Sequence, residues 1–354
     1  MTSRTIDGCM KCGACVRECP VLLQEGRDRF PGPRRLAVEG PRFNEELSAL
    51  RSPLELCTTC ARCATVCPSA LPLPEALVQV RRLLYRDHTR PEGQERMLAN
   101  MDRTLRTVLP SGPVTDVPST GDLLFFPGCI GHGRYPEGIT SSLSLIRAVG
   151  GRPFAPQGWA CCGSPLEKIG DEQRLSRVEA HNRALFRGFD TVVTSCPGCT
   201  VQLRKRYGLD PQHIIEHIHG SGRLCRSSFD PSSPPIKVAL HSPCHLARIV
   251  GPHTLEMARD LLDMVPGVEV VNTGLEDDCC GGGGGVASAR PDVAERMAGR
   301  KVQAALRAGA QLLLAPCPFC VINLGRIGLL NVQDLTVFLA SRLLTAEGIN
   351  SPIP

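Results

Sequence analysis

The sequence predicts an α+β multidomain chain: a small helical domain followed by two copies of one α/β domain. Three observations carry that expectation. Two cysteine runs of identical spacing, each ending in proline, fall within the first 68 residues. Breaker-rich stretches then divide the rest, Pro110-Ser-Gly-Pro113 through Pro118-Ser-Thr-Gly121 and the segment 227–235 with its three prolines and four serines. Finally, the two stretches so delimited repeat each other. Cys129 and Cys244, Cys162 and Cys280, and Cys199 and Cys320 are corresponding landmarks, 115, 118 and 121 residues apart.

Taken in order, the helical domain is expected over 1–108. Between its cysteine runs, Phe43 to Leu50 places apolar residues at helical spacing and is expected to end before Pro53. Pro74 starts a helix with Leu77, Val80 and Leu84 on one face, and Met97, Met101, Leu105 and Val108 form a packing stripe. A linker is expected over 109–121, the first α/β copy over 122–226, a second linker over 227–235 and the second copy over 236–350. Each copy begins with a short apolar strand, Asp122–Phe126 or Lys237–Leu240, that delivers its first cysteine to a turn. A long helix then precedes another strand: Arg174–Arg187 before Thr191–Thr194, and Val293–Ala308 before Gln311–Ala315. That second strand delivers a C-x-x-C whose second cysteine opens the next helix. Strands alternating with helices imply mostly parallel sheets, with reactive groups at the carboxyl ends of the strands.

Composition narrows the function classes. The 354 residues are 42% hydrophobic and 21% charged, as in an ordinary soluble domain protein. A net charge of +5 without a Lys/Arg run, and only 4% aromatic residues, argue against nucleic acid as a partner. Met1 to Gly8 has no apolar core segment, and apolar stretches such as Gln311–Ala315 and Val268–Val271 fall far short of the roughly 18 residues a membrane span needs. Nineteen cysteines in a long chain without a secretion signal point to the reducing cytoplasm, where they serve as metal ligands rather than disulfides.

The first cysteines read as two [4Fe–4S] sites. Cys9, Cys12, Cys15 and Cys19 precede Pro20; Cys57, Cys60, Cys63 and Cys67 precede Pro68. In the spacing C-x₂-C-x₂-C-x₃-C-P, three cysteines of one run share a cluster with the fourth of the other. One cubane is therefore assigned to Cys9, Cys12, Cys15 and Cys67, the other to Cys57, Cys60, Cys63 and Cys19. The 37 residues between Cys19 and Cys57, with a helix among them, suggest an α-helical ferredoxin-like domain. A pair of structural zinc sites is the alternative.

Each repeat supplies five more: Cys129, Cys161, Cys162, Cys196 and Cys199, then Cys244, Cys279, Cys280, Cys317 and Cys320. Five thiolates exceed one cubane or one tetrahedral zinc, and adjacent residues do not easily reach one face of a compact cluster. A larger or unusually shaped cluster would use them all. Alternatively, Cys161 and Cys279 are spare buried thiols packed as small hydrophobes. Cys225 stands outside every set.

Cys161-Cys-Gly-Ser-Pro-Leu, Cys279-Cys-Gly-Gly-Gly-Gly-Gly-Val, His241-Ser-Pro-Cys-His-Leu and the C-x-x-C pairs resemble the cysteine-rich CCG domains of heterodisulfide reductases. The domain order, and Phe30-Pro-Gly-Pro-Arg-Arg between the cubane runs, resemble the D-subunit family of those enzymes over nearly the whole chain. The resemblance implies a noncubane [4Fe–4S] cluster in each five-cysteine set, both facing one substrate disulfide. That substrate would be the mixed disulfide of coenzyme M and coenzyme B in methane-forming archaea. It also implies a redox partner, either a membrane b-type cytochrome or a soluble flavin or iron–sulfur subunit, which would hold the chain at the cytoplasmic face. The rival is an electron-relay subunit of a flavin dehydrogenase, of the anaerobic glycerol-3-phosphate dehydrogenase or glycolate oxidase type, passing electrons towards quinone.

Protons must also reach the products. His245, directly after Cys244, is the first candidate donor because an imidazole titrates in the neutral range; His241 is the second. The alternative for either is a hydrogen bond to a cluster sulfur or a backbone group. His213, His217 and His219 lack counterparts in the second copy and read as surface or packing residues. Arg134, Arg248 and Lys168 lie near the motifs and suit anionic substrate groups. Gly281–Gly285 permits close backbone approach and lacks the context of a dinucleotide loop. Val337–Leu344 reads as a core helix or, alternatively, a docking segment.

Overall fold

A computed structural model describes residues 6–43, 46–85, 90–113, 115–189 and 191–344. The two repeats form separate four-stranded parallel sheets of the same topology. In the first, β1 (Leu123–Phe126), β2 (Pro153–Phe154), β3 (Thr191–Thr194) and β4 (Asp210–His213) lie in the order β2-β1-β3-β4. In the second, β5 (Ile236–Leu240), β6 (Val268–Val271), β7 (Leu312–Ala315) and β8 (Val332–Asp334) repeat it as β6-β5-β7-β8. Register pairs Phe126 with Thr194 and Thr194 with His213 in one sheet, and Leu240 with Leu314 and Ala315 with Asp334 in the other.

The central strands are those the sequence announces. Leu124, Phe125 and Phe126, and all of Leu312–Ala315, are buried, because helices cover both faces of a parallel sheet. The edge strands carry Pro153, Pro211 and polar residues, and alternation alone does not mark them. Between β1 and β3, and again between β5 and β7, the winding reverses direction. Such a switch point opens a crevice beyond the carboxyl ends of the strands.

One apolar core joins the two sheets. Ile139, Leu143 and Ile146 of helix Pro136–Ala148 pack with Phe338 and Leu339 of helix Leu335–Arg342, and with Val193, Leu240 and Leu314. Val337–Leu344 therefore supplies core residues, although Leu344 at its end is exposed.

Short helical segments build the N-terminal region around Phe30, Leu36, Leu54 and Leu77, and its principal helix is Leu73–Leu84. The expected helix ending before Pro53 is not formed: Leu47–Leu50 is a 3-10 turn, and the helical turn Arg51–Leu54 runs through Pro53. Proline fits there because N–H groups in a first helical turn have no partner within the helix. Residues 44–45 of that expected helix lie outside the described residues. Helix Glu92–Thr104 ends at Leu105, whose φ of 56° is left-handed. The Met97, Met101, Leu105, Val108 stripe packs against Phe126, Trp159 and Leu175 of the first repeat.

Candidate iron–sulfur sites

Proline explains the end of each N-terminal cysteine run only in part. Cys19 caps helix Pro20–Glu25 with Pro20 in its first turn, whereas Cys67 precedes a turn and receives the Leu71 N–H at 3.5 Å. Both C-x₂-C loops curl identically. Lys11 and Gly13 in one, and Thr59 and Ala61 in the other, take φ values of 58°, 79°, 52° and 63°. Three of those four residues are not glycine, so the fold holds a conformation that side chains disfavour. In the inner loop the Thr59 and Arg62 N–H groups donate to the Cys57 and Cys60 sulfurs.

The structure groups these eight cysteines across the runs. A small pocket is lined by Cys9, Cys12, Cys15 and Cys67 together with Arg34. Cys19 lies within electrostatic reach of Cys57 and Cys60, and Cys63 within reach of Cys57, Cys60 and Cys19. The first group is outer, with Cys12 exposed and Cys9 half-buried; all four members of the inner group are buried.

In each repeat the five cysteines meet at the switch point. The first follows β1 or β5, and the C-x-x-C follows β3 or β7. Cys196 and Cys317 are the caps of helices Pro197–Tyr207 and Pro318–Gly325, so the first cysteine of each pair opens the helix and the second sits in its first turn. Thiol contacts run in the same order in both copies. Cys129 meets Cys161, Cys161 meets Cys162, Cys162 meets Cys199, and Cys199 meets Cys196. Cys244, Cys279, Cys280, Cys320 and Cys317 form the matching chain, with Cys280 and Cys320 sulfurs 3.4 Å apart. Cys161 and Cys279 are thus inside their sets. Cys225 is exposed on a loop, outside this pattern.

Glycine is compelled after each cysteine pair. Gly163 and Gly281 have φ of 90° and 91°, and a Cβ on Gly281 would lie 2.7 Å from Met297 Cβ; on Gly163 it would meet Leu175. Buried amides and a phenol fix the pairs themselves. Asn182 Nδ2 donates to the carbonyls of Ala160 and Cys161, Tyr207 donates to Cys162 O at 3.1 Å, and Asn323 Nδ2 donates to Cys280 O at 2.7 Å. None of these three stands out in the sequence, because a lone Asn or Tyr in a helix carries no motif.

These pockets suit a thiolate-bound metal cluster. Neighbouring thiols and burial together push Cys129, Cys199, Cys244 and Cys320 far above the ordinary thiol range. Packed thiolates would need compensating positive charge, which a metal centre supplies. Buried polar atoms border the same pockets without a partner among the described residues: Thr58 and Thr59 Oγ1 between Cys57 and Cys60, Ser242 Oγ, and both ring nitrogens of His241. Groups of this kind are normally hydrogen-bonded, and a cluster held by these cysteines would offer sulfide acceptors.

The two repeats present their sites to each other. The C-x-x-C helix of the first packs on segment Leu246–Val250, just after Cys244, and the C-x-x-C helix of the second packs on helix Cys129–Arg134. Cys196 and Cys317 lie within electrostatic reach of one another. The helical domain's inner cysteine loop meets the second site: Cys60 contacts Cys279, and Arg248 donates to Cys60 O at 3.1 Å. Gly284, at φ 65°, lies so close to the Cys57 carbonyl and Thr58 that no Cβ fits. The glycine run therefore lies against the inner cysteine loop.

The candidate histidines belong to the second site. His241 is buried, with one ligand atom within 4.8 Å of the Cys280 and Cys320 sulfurs. His245 Nδ1 is 3.5 Å from Cys244 Sγ. The neutral-range titration expected of His245 is corrected by its surroundings. Burial first, then the charges of Lys168 and Arg248, push it down to about 3 and hold the ring neutral in the protein alone. His213 also departs from expectation, since it has a counterpart. It caps helix Ile214–Gly220 from the end of β4, where Asp334 caps helix Leu335–Arg342 from the end of β8. His219 pairs with Asp260 at 2.9 Å, and His217 is half-buried. Among the anion candidates, Arg248 is committed to Asp277 at 2.9 Å, Lys168 is half-buried, and Arg134 is exposed.

A family profile described as a 4Fe-4S dicluster domain matches residues 5–71, and one described as a cysteine-rich domain, CCG, matches 123–204 and 238–325. The D subunit of dihydromethanophenazine:CoB–CoM heterodisulfide reductase from Methanosarcina acetivorans is 28% identical, covering 96% of this chain and 94% of that one. The chain belongs to the iron–sulfur proteins that join a 4Fe-4S dicluster domain to paired cysteine-rich CCG domains, and it is similar to heterodisulfide reductase D subunits over nearly its whole length. Within this family setting, similarity also extends to the B subunit of fumarate reductase (CoM/CoB) from Methanothermobacter marburgensis, at 29% identity over 94% of this chain and 72% of the relative. A probable glycolate oxidase iron–sulfur subunit of Bacillus subtilis is 24% identical over 96% and 94%. A solved structure of a hypothetical protein from Helicobacter pylori shares the fold, with a TM-score of 0.56 and 9% identity over 91% of this chain and 70% of that one. The chain is an iron–sulfur oxidoreductase subunit, and its relatives are subunits of redox complexes. Among the described residues no helix is long and apolar enough to cross a membrane.

Proposed function

We propose that this protein reduces, or reversibly forms, a thiol heterodisulfide: CoM-S-S-CoB, two electrons and two protons giving coenzyme M and coenzyme B. The observation that supports it most is the reciprocal packing of two five-thiol sets of the same pattern, between which one S–S bond would be held. Two relatives that match almost the whole chain carry CoM and CoB in their names. Cys129, Cys161, Cys162, Cys196 and Cys199 would hold one noncubane [4Fe–4S] cluster, and Cys244, Cys279, Cys280, Cys317 and Cys320 the other. The outer and inner groups of the N-terminal domain would hold cubanes. Bound there, the clusters would supply electrons singly to a bond whose cleavage needs two.

The chain's own residues would place and protonate the sulfurs. Asn182, Tyr207 and Asn323 fix the cysteine pairs, so each sulfur keeps its direction. His245 and His241 are the proposed proton carriers. Their rings are neutral in a pocket of cations, and anionic sulfur beside them would raise their affinity for a proton. That proton would sit on a ring nitrogen next to the leaving thiolate. The proposed units are 1–108, 122–226 and 236–350, with linkers at 109–121 and 227–235. A redox partner, either a membrane b-type cytochrome or a soluble flavin or iron–sulfur protein, would deliver electrons at the outer cysteines and hold the chain at the cytoplasmic face.

The second reading, relay between a flavin subunit and quinone, draws support from the full-length glycolate oxidase relative. Anaerobic assay with a reduced viologen dye separates the two: the heterodisulfide is consumed and two thiols appear. Iron and acid-labile sulfide should total about 16 each per chain. Absence of turnover in protein carrying that iron would favour the relay, and zinc without sulfide would end both readings.

A further inference from the structure

Arg81 is buried, with 8% of its surface exposed, and its guanidinium donates to no carboxylate among the described residues. It donates instead to four backbone carbonyls drawn from three parts of the chain. Two belong to the inner cysteine loop and its approach: Leu54 O, and Cys57 O at 2.7 Å. The others are Lys168 O at 2.7 Å in the first repeat and Gly284 O at 2.8 Å in the second. Carbonyl hydrogen bonds offset part of the cost of burying this charge, and nearby negative charge would offset more. Glu55 lies within electrostatic reach of Arg81, as it does of Arg290 and Arg51, but makes no hydrogen bond to Arg81 among the described residues. The Cys57 sulfur is the other group within reach of Arg81, and it would be anionic once bound as a metal ligand.

The outer cysteine site is built differently. Its arginine, Arg34, is paired with Glu39 at 3.0 Å, so its charge is cancelled locally. Lys11 lies in the solvent-facing loop, where water screens it. At the inner site Arg248 is likewise cancelled by Asp277. Arg81 is thus the buried cation of the helical domain that is held by backbone carbonyls and by no carboxylate hydrogen bond among the described residues, and it acts on Cys57 ahead of Lys168.

We propose that Arg81 raises the reduction potential of the inner site, the one framed by Cys19, Cys57, Cys60 and Cys63, above that of the outer site. Burial alone would act the other way, because adding an electron to an anionic centre is harder in a poorly solvated place. A buried positive charge hydrogen-bonded to the Cys57 carbonyl reverses that order, since its interaction is little screened there. Electrons accepted one at a time from a redox partner at the exposed outer cysteines then run downhill to the inner site, against which Cys279 of the second repeat is packed. The inference rests on the cubane reading of the two N-terminal cysteine groups.

Redox titration of the holoprotein with dithionite, followed by paramagnetic resonance, reads both sites. Cys12→Ser at the exposed outer loop alters the outer signal and so assigns it. In the native protein the inner signal should be reduced first. Arg81→Gln keeps two donors but removes the charge, and should make inner reduction at least tenfold less favourable, a fall of about 59 mV for one electron. Arg81→Lys keeps the charge and should hold the potential near the native value. An outer site of higher potential in the native protein overturns the proposal without any variant. So does an inner potential unmoved in a folded Arg81→Gln protein. Absence of cubane signals altogether would instead remove the cluster reading beneath it.

Discussion

The two repeats share all five cysteines and all four strands but differ at the positions that surround the cysteines. Three residues before Cys129 stands Phe126, packed edge-on against Trp159 at 5.4 Å and Phe186 at 5.7 Å. Three residues before Cys244 stands His241, with both ring nitrogens unpartnered among the described residues. Ile130 follows Cys129, and His245 follows Cys244. Segment 105–107 covers the first set, through the Leu105 carbonyl to Cys161 N at 2.8 Å and Arg106 over the Trp159 ring at 4.0 Å. The inner cysteine loop covers the second. A duplicated scaffold has therefore been given unequal surroundings: one pocket flanked by aromatic rings, and one that holds two histidines and is joined to the inner cysteine loop. If both bind clusters, proton delivery and electron entry belong to the second.

That asymmetry can be broken outright. Cys280→Ala should abolish disulfide turnover while the N-terminal cubane signals persist; unchanged turnover would remove the second pocket from the chemistry. A milder change makes the second pocket resemble the first. His241→Phe should lower turnover about a hundredfold, the range of a lost proton carrier, and change unfolding free energy by no more than about 1 kcal/mol, the scale of one hydrogen bond. A large stability loss with unaltered turnover would mark His241 as structural.

Shared features should respond alike. Gly163→Ala and Gly281→Ala each force a Cβ into a left-handed position without room, and each should cost about 3 kcal/mol in unfolding free energy. A cost in one copy only would show that the repeats are not equivalent at their cysteine pairs.

The smallest expected effect is in the helix caps at equivalent positions. Burial lowers His213 to about 4, below its unfolded value, so its contribution is present above pH 6.5 and fades as pH falls towards 4. Burial raises Asp334 to about 6, so its contribution is present below the unfolded carboxyl range and is lost as pH rises through 6. Between pH 7.5 and 5.5 the His213→Asn protein should lose less stability on acidification than the native one. Asp334→Asn should flatten the opposing slope. Urea unfolding at several pH values measures both, and parallel slopes in all three proteins would contradict these cap assignments.

Much of this architecture is legible in the residues. The central strands and the pairing of repeats follow from short apolar runs placed just before cysteines, because a parallel strand buried on both faces leaves no alternation to misread. Edge strands such as Pro153–Phe154 and Asp210–His213 are not legible, since pairing rather than propensity makes them strands. The helix expected over Phe43–Leu50 fails because packing of Leu50 and Leu54 on the domain core sets the local turns. At the sites, spacing exposes all eighteen clustered cysteines but not what holds them. Arg81, Asn182 and Asn323 act through long-range contacts with backbone carbonyls, which leave no trace in spacing. The depressed titration of His245 escapes the sequence for the same reason: Lys168 and Arg248 approach it only in the folded chain.

The central claim is that paired five-thiol pockets act on a sulfur–sulfur bond. Paramagnetic resonance of the oxidised holoprotein, titrated anaerobically with coenzyme M, tests it most directly. A new signal that grows with thiol and vanishes in Cys280→Ala is the predicted result; a spectrum indifferent to thiol in fully iron-loaded protein would contradict it.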